Sequence, residues 1–175
     1  MAKRSAISGT SPATSTVPSG RELGEPAARV LRQFRQVFNA VKTHFQQVEK
    51  KAGVGGAQLW ALSIIQSAAG IGVSELASAM DVHQSTASNL VKTLVERELI
   101  ATAREGPDRR AVQLRILPGG SRVLRRAPGP FTGVLPQALA SLDATTLARL
   151  DKDLAKLIKT LDADESGANI PLGHV

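Results

Sequence analysis

Two long apolar repeats bracket a shorter, differently patterned middle. Near the N-terminus Leu31, Phe34, Phe38, Val41, Phe45 and Val48 recur at steps of 3, 4, 3, 4 and 3. That spacing predicts a helix from Pro26 with a single apolar seam. Gly53-Val54-Gly55-Gly56 ends it, because glycine tolerates the left-handed backbone that closes a helix. Near the other end Leu147, Leu150, Leu154, Leu157 and Leu161 recur at steps of 3, 4, 3 and 4. Asp143 stands just before that helix as its N-cap. Two such seams can pack on each other within one chain or against a second copy. They are long and the middle is small, which favours a two-fold dimer built from both ends.

The middle reads as three helices and a hairpin. The first runs from Ala57 to about Ala69 and carries Leu59, Trp60, Leu62, Ile64 and Ile65. Beyond Gly70-Ile71-Gly72, Ser74 is the expected cap of a short helix that puts Leu76, Ala77 and Met80 on one face. A tight turn at Asp81-Val82-His83 leads into a helix from Gln84 to about Arg97, with Ala87, Leu90, Val91 and Leu94 facing inward. Its outer set is Gln84, Ser85, Thr86, Ser88, Asn89, Lys92 and Thr93, short, polar and free of acids. An ordinary surface helix mixes acids with bases. This face suits the DNA major groove, where amides, hydroxyls and a lysine meet base edges and phosphates. Alternating segments at 99–104 and 111–117 flank Glu105-Gly106-Pro107-Asp108-Arg109-Arg110, a turn with two arginines at its tip. A helix from Ser121 to Arg126 follows, broken at Ala127-Pro128-Gly129-Pro130. Helix is expected to resume over 131–142, with Pro136 tolerable only near its start or at a bend.

Helix, turn, helix and basic hairpin make a winged helix, and here the chain resembles the MarR family of bacterial regulators. Ser74-Glu75-Leu76-Ala77, Ser85-Thr86-Ala87-Ser88-Asn89-Leu90-Val91 and Asp108-Arg109-Arg110-Ala111-Val112 match that family's helix-turn-helix and its Asp-x-Arg wing at the right separations. Gly120 stands where the family usually carries a glycine after the wing. The match is strong over 57–126 and looser over 26–162. Two positions depart from the pattern. Asp81 replaces the frequent turn glycine, though Asp accepts left-handed geometry better than most residues. Leu117 followed by Pro118 replaces a threonine cap, and proline suits a first helical turn.

Charge sharpens the picture. The 175 residues carry a formal charge of +7, which favours a polyanionic partner. Arg29, Arg32, Arg35, Lys42, Lys50 and Lys51 crowd the first helix, and seven arginines lie between 104 and 126, whereas the region after 140 is acid-rich. Base gathered on the wing side is the electrostatic mark of a nucleic-acid partner. The chain has no cysteine, which excludes disulfides and thiol switches. No apolar run reaches membrane-spanning length and the N-terminus lacks the apolar core of a signal peptide. The expected setting is cytoplasmic, on the bacterial nucleoid. Residues 1–25 are Ser, Thr, Gly and Pro-rich, and the expectation for them is a disordered or loosely docked tail.

Catalysis finds no support. His44, His83 and His174 form no helical pair of metal-ligand spacing, no serine sits in a nucleophile elbow, and the glycine clusters lack a βαβ setting. No catalytic residue, metal or cofactor is expected.

The fold class read from these patterns is mainly α with a small β-hairpin wing, an α+β winged helix-turn-helix with a helical dimerisation arm from both termini. Its divisions are a tail 1–25, a dimerisation helix 26–56, the DNA-binding module 57–118, C-terminal dimerisation helices 119–162 and a tail 163–175. Candidate DNA contacts are Gln84, Ser85, Thr86, Ser88, Asn89, Lys92, Arg104, Arg109 and Arg110. The resemblance implies that Asp108 braces the wing while Arg110 contacts DNA. It also implies a small-molecule pocket between arm and module, with Phe38, His44, Phe45, Trp60 and Ile64 as candidate walls, although for any single one of them plain core is the favoured reading. Leu31, Phe34, Val41, Leu147, Leu150, Leu154, Leu157 and Leu161 are the candidate dimer residues. The expected partners are double-stranded DNA bearing an imperfect palindrome, a second copy of the chain and a small aromatic or amphipathic effector, with no membrane. Two rival functions are a sequence-indifferent DNA coat and a winged helix used for protein association.

Overall fold

The computed structural model describes residues 24–103, 112–163, 167–168 and 170–172. The expectations for the 1–25 tail and for the wing tip, including Arg104, Asp108, Arg109 and Arg110, therefore lie almost wholly outside the described residues. The chain divides into two compact units, Met1–Gln36 and Val37–Val175. In the first, the described residues are helical from Glu25 on and exposed or half-buried. Glu25 accepts from Arg29 and Arg32 at 3.5 Å each, solvent-screened pairs that contribute little.

The element order is α1 (Glu25–Ala52), α2 (Gly56–Ser67), α3 (Val73–Ala79), α4 (Gln84–Glu96), β1 (Ile100–Ala103), β2 (Gln113–Ile116), α5 (Pro118–Arg126), α6 (Val134–Ala140) and α7 (Ala144–Leu161). The core of the second unit is the winged helix. Leu59, Leu62 and Ile65 of α2 meet Leu76 and Met80 of the α3 region, Leu90 and Leu94 of α4, and Ile100 and Leu114 of the hairpin. β1 and β2 pair antiparallel, with Ile100 opposite Ile116 and Ala103 opposite Gln113. The backbone of Ile71 accepts from Leu114 N–H at 2.9 Å, and Gly72 bridges to Gln113. The segment before α3 thus extends the hairpin by one more short strand-like contact.

That contact corrects the expected cap of α3. Gly72, held extended by the hairpin, is the N-cap, and the helix starts at Val73. The Glu75 carboxylate reaches back and accepts from Gly72 N–H at 2.8 Å, leaving Ser74 inside the first turn. Among the described residues the second strand is also shorter than its alternating segment suggested, at four residues.

α5 begins at Pro118 rather than Ser121, with the proline in its first turn, where a missing N–H costs nothing. It packs on α2 and the hairpin, burying Gly120 and Leu124. Gly120 has to be glycine: a β-carbon there would collide with the Leu99 carbonyl and lie 2.9 Å from Ile116. The expected division between 118 and 119 falls inside this packed helix. Past the Pro-Gly-Pro break the expected helix over 131–142 shrinks to Val134–Ala140. Phe131 and Thr132 form a turn instead, and Gly133 at φ +100° re-aims the chain. Pro136 then sits in the first turn, where helical N–H groups have no partner anyway.

Asp143 caps α7 as expected. Its Oδ1 accepts from Thr146 N–H at 2.9 Å and its Oδ2 from the Thr146 hydroxyl at 2.7 Å. The threonine hydroxyl first, and its N–H second, hold the Asp143 carboxyl below the usual aspartate range. α7 itself buries none of its residues.

Candidate nucleic-acid interface and cavity

The turn before α4 works because Asp81 adopts φ +51°, a conformation Asp reaches more readily than most residues. His83 follows in extended backbone as the N-cap of α4. Ala87, Leu90, Val91 and Leu94 then lock the helix onto the core. That stripe fixes which residues point away: Gln84, Ser85, Ser88, Asn89 and Lys92 are exposed, with Thr86 and Thr93 half-buried beside them.

The outer face splits into two kinds of polar group. Ser88 donates its hydroxyl to Gln84 O at 2.8 Å, and Thr93 donates to Asn89 O at 3.0 Å. Both keep only acceptor capacity for a partner. The side chains of Gln84, Ser85, Thr86 and Asn89 have no hydrogen-bond partner among the described residues. Two of these are amides that offer donor and acceptor side by side, the pattern that meets an adenine edge. Lys92 lies 3.9 Å from Glu96, so the face is not wholly acid-free at its C-terminal end. The pair is exposed and stretched, and phosphate competes with it easily.

Sequence reasoning missed Arg97, the C-cap of α4. Its Nη2 donates to Gly53 O at 2.6 Å and its Nη1 to Gln58 Oε1 at 3.1 Å. The partners lie 44 and 39 residues away, beyond any local pattern.

A cavity of about 60 Å³ lies beside α2, lined among others by Phe45, Gly56, Trp60, Gly133, Pro136 and Leu172. Of the expected walls, Phe45 and Trp60 are there. Phe38 is 65% exposed, Ile64 packs against the core, and His44 is buried with its ring edge-on to Phe45 at 5.6 Å. Gly56 was read as a helix terminator. It is instead the first residue of α2, where a β-carbon would collide with the Phe45 ring. Leu147, Leu150, Leu154, Leu157 and Leu161 all stay exposed on α7, while Leu31, Phe34 and Val41 are half-buried.

Among the described residues no cluster of three or more His, Asp or Glu could hold a metal ion, and no helix is long and apolar enough to cross a membrane.

Residues 52–111, which begin at the end of α1, match the MarR family. Over that stretch, about a third of the 175 residues, the chain is similar to the winged helix-turn-helix of the MarR family. It is 24% identical over 129 residues to the HTH-type transcriptional repressor MdtR of Bacillus subtilis, covering 74% of this chain and 83% of MdtR. Among solved structures it resembles a MepR-like protein complexed with pseudoligands, at TM-score 0.52 and 18% identity over 79% of this chain and 94% of that one. It also resembles a mutant MarR from E. coli complexed with operator DNA, at TM-score 0.50 and 18% identity over 77% of this chain and 99% of that one. These structural likenesses establish the fold.

Proposed function

We propose that this protein is a MarR-like homodimeric repressor that reads an imperfect DNA palindrome through α4. The carrying observation is the unbonded polar set Gln84, Ser85, Thr86 and Asn89, held outward by a stripe of four buried residues. The half-sites lie about one helical turn, roughly 10 bp, apart. In this reading Arg109 and Arg110 enter the flanking minor groove, Arg104 is a further DNA contact and Asp108 braces the wing. MdtR is a repressor by name, and the E. coli MarR mutant is bound to operator DNA, which supports both the partner and the sign of regulation.

The second copy would cover the leucine stripe of α7, five leucines on a helix that buries nothing within the chain. Release by a small aromatic or amphipathic molecule is the third element, supported by Phe45 and Trp60 at the cavity. A cavity of about 60 Å³ is well below the roughly 300–1,000 Å³ of typical ligand sites. An effector therefore has to widen it, and that widening is what would disturb the DNA-bound dimer. The setting is cytoplasmic.

The test is selection of bound fragments from genomic DNA, followed by gel shifts on the recovered site and on random duplex of equal length. Specific regulators prefer their site by roughly 10³-fold or more. A ratio near one with a steep salt dependence would make the protein a sequence-indifferent coat.

A further inference from the structure

The contact at Arg97 joins two parts that the rest of the core leaves to apolar packing. Arg97 closes the C-terminal end of α4, and its guanidinium fork spans two acceptors on the junction between α1 and α2. One is Gly53 O, where α1 ends at φ +70°. The other is Gln58 Oε1, which also accepts from Gly55 N–H at 3.3 Å. One arginine thus fastens the junction to the helix, and one glutamine fastens the arginine to the backbone of the junction. A planar five-donor fork suits two divergent acceptors, whereas lysine presents a single point charge.

Arg97 lies eight residues beyond Asn89, about 12 Å along the axis at a rise of 1.5 Å per residue. It anchors the end of α4 remote from Gln84 and Ser85. We propose that Arg97 is a positioning residue for DNA reading: it fixes the tilt of α4 against the α1–α2 junction, so that the polar face meets base edges in one register. This rests on α4 being the DNA-reading helix. The junction it grips runs directly into Gly56 and Ala57 of the cavity wall, so an occupant displacing that wall acts on the same anchor. A cation at a helix C-terminus also stabilises the helix by itself, and the test has to separate the two roles.

Affinities for the selected operator and for random duplex are measured across a salt series for the wild type, Arg97→Gln, Arg97→Lys, Gln58→Ala and the double variant Arg97→Gln/Gln58→Ala. All are assayed below the onset of unfolding followed by circular dichroism. Arg97→Gln is expected to lower the operator-to-random ratio roughly fivefold or more, the lower range of coupling between sites. The salt slope should not change, and Arg97→Lys should recover part of the loss. Gln58→Ala should lower the ratio too, with the double variant no worse than the poorer single one, since the two residues share one interaction. Equal losses on both DNAs with a slope reduced by about one would make Arg97 a phosphate contact and overturn the proposal. An unchanged ratio, or additive losses, would reduce it to an ordinary cap. If the wild type itself shows no preference, the proposed function falls and takes this role with it. A wild type that discriminates beside an unaffected Arg97→Gln sinks the positioning role alone.

Discussion

In the winged helix Leu59, Leu62, Leu76, Leu90, Leu94 and Leu114 are each at most 2% exposed; on α7 Leu147, Leu150, Leu154 and Leu157 are 36–39% exposed and Leu161 65%. The residue type is the same, and the leucines of α2, α4 and α7 all recur at helical spacing within their own helices. The difference lies in closure. The hairpin, α5 and the segment before α3 seal the stripes of α2 and α4 from several sides, while α7 has an apolar stripe and nothing buried against it. An apolar period therefore tells which face will be covered and says nothing about what covers it. The winged helix is a finished core, whereas the stripe of α7 stays open among the described residues and is half of an interface only in the proposed dimer.

The largest way to break this contrast is Leu154→Asp. A carboxylate forced unpaired into an apolar interface costs several kcal/mol, so the variant should sediment as a monomer while its winged helix unfolds as in the wild type. A wild type that is monomeric at micromolar concentration would remove the interface from the account. Leu62→Ala acts on the other side of the comparison. It leaves a cavity in the sealed core and should lower stability in urea by about 2–5 kcal/mol without changing the sedimentation of the folded protein. Gly120→Ala is a smaller change in the same region. Its methyl group meets the Leu99 carbonyl, and an overpacked site of this kind loses about 1–3 kcal/mol; a neutral result would mean that α5 can slide on the hairpin.

The smallest effect is the acid response of α7. The Asp143 carboxyl is held below its usual value by Thr146, so its capping contribution is present above the ordinary aspartate pKa of about 3.9. It is lost as pH falls through the lower folded-state value. Asp143→Ala should reduce helical circular dichroism near neutral pH and flatten the decline seen on acidification. An identical acid profile in the two proteins would show that the cap plays no part.

What the chain's pattern reveals tracks how local each cause is. The inward set Ala87, Leu90, Val91 and Leu94 was legible, because burial of an amphipathic helix follows its own period. Asp143 was legible because its partner is three residues on. The cap of α3 was misread because Gly72 is held by Gln113, and that pairing forms only once the hairpin is in place. Gly56 and Gly120 are required by Phe45 and by the Leu99 carbonyl, close approaches that leave no mark in neighbouring residues. Arg97 entered the sequence reading only as the approximate end of its helix, because its partners lie 39 and 44 residues away. In the candidate interface, exposure of the α4 face was readable from spacing, but not the division between Ser88, tied to its own helix, and Asn89, left open.

The most direct test of the account is the affinity of Asn89→Ala for operator and for random DNA, with Lys92→Ala beside it. If Asn89 reads a base, its loss should cost about 1–3 kcal/mol on the operator and little on random DNA. Lys92→Ala should weaken both alike and lower the salt slope by about one. Equal behaviour of Asn89→Ala on the two DNAs would contradict the claim that the open face of α4 reads sequence.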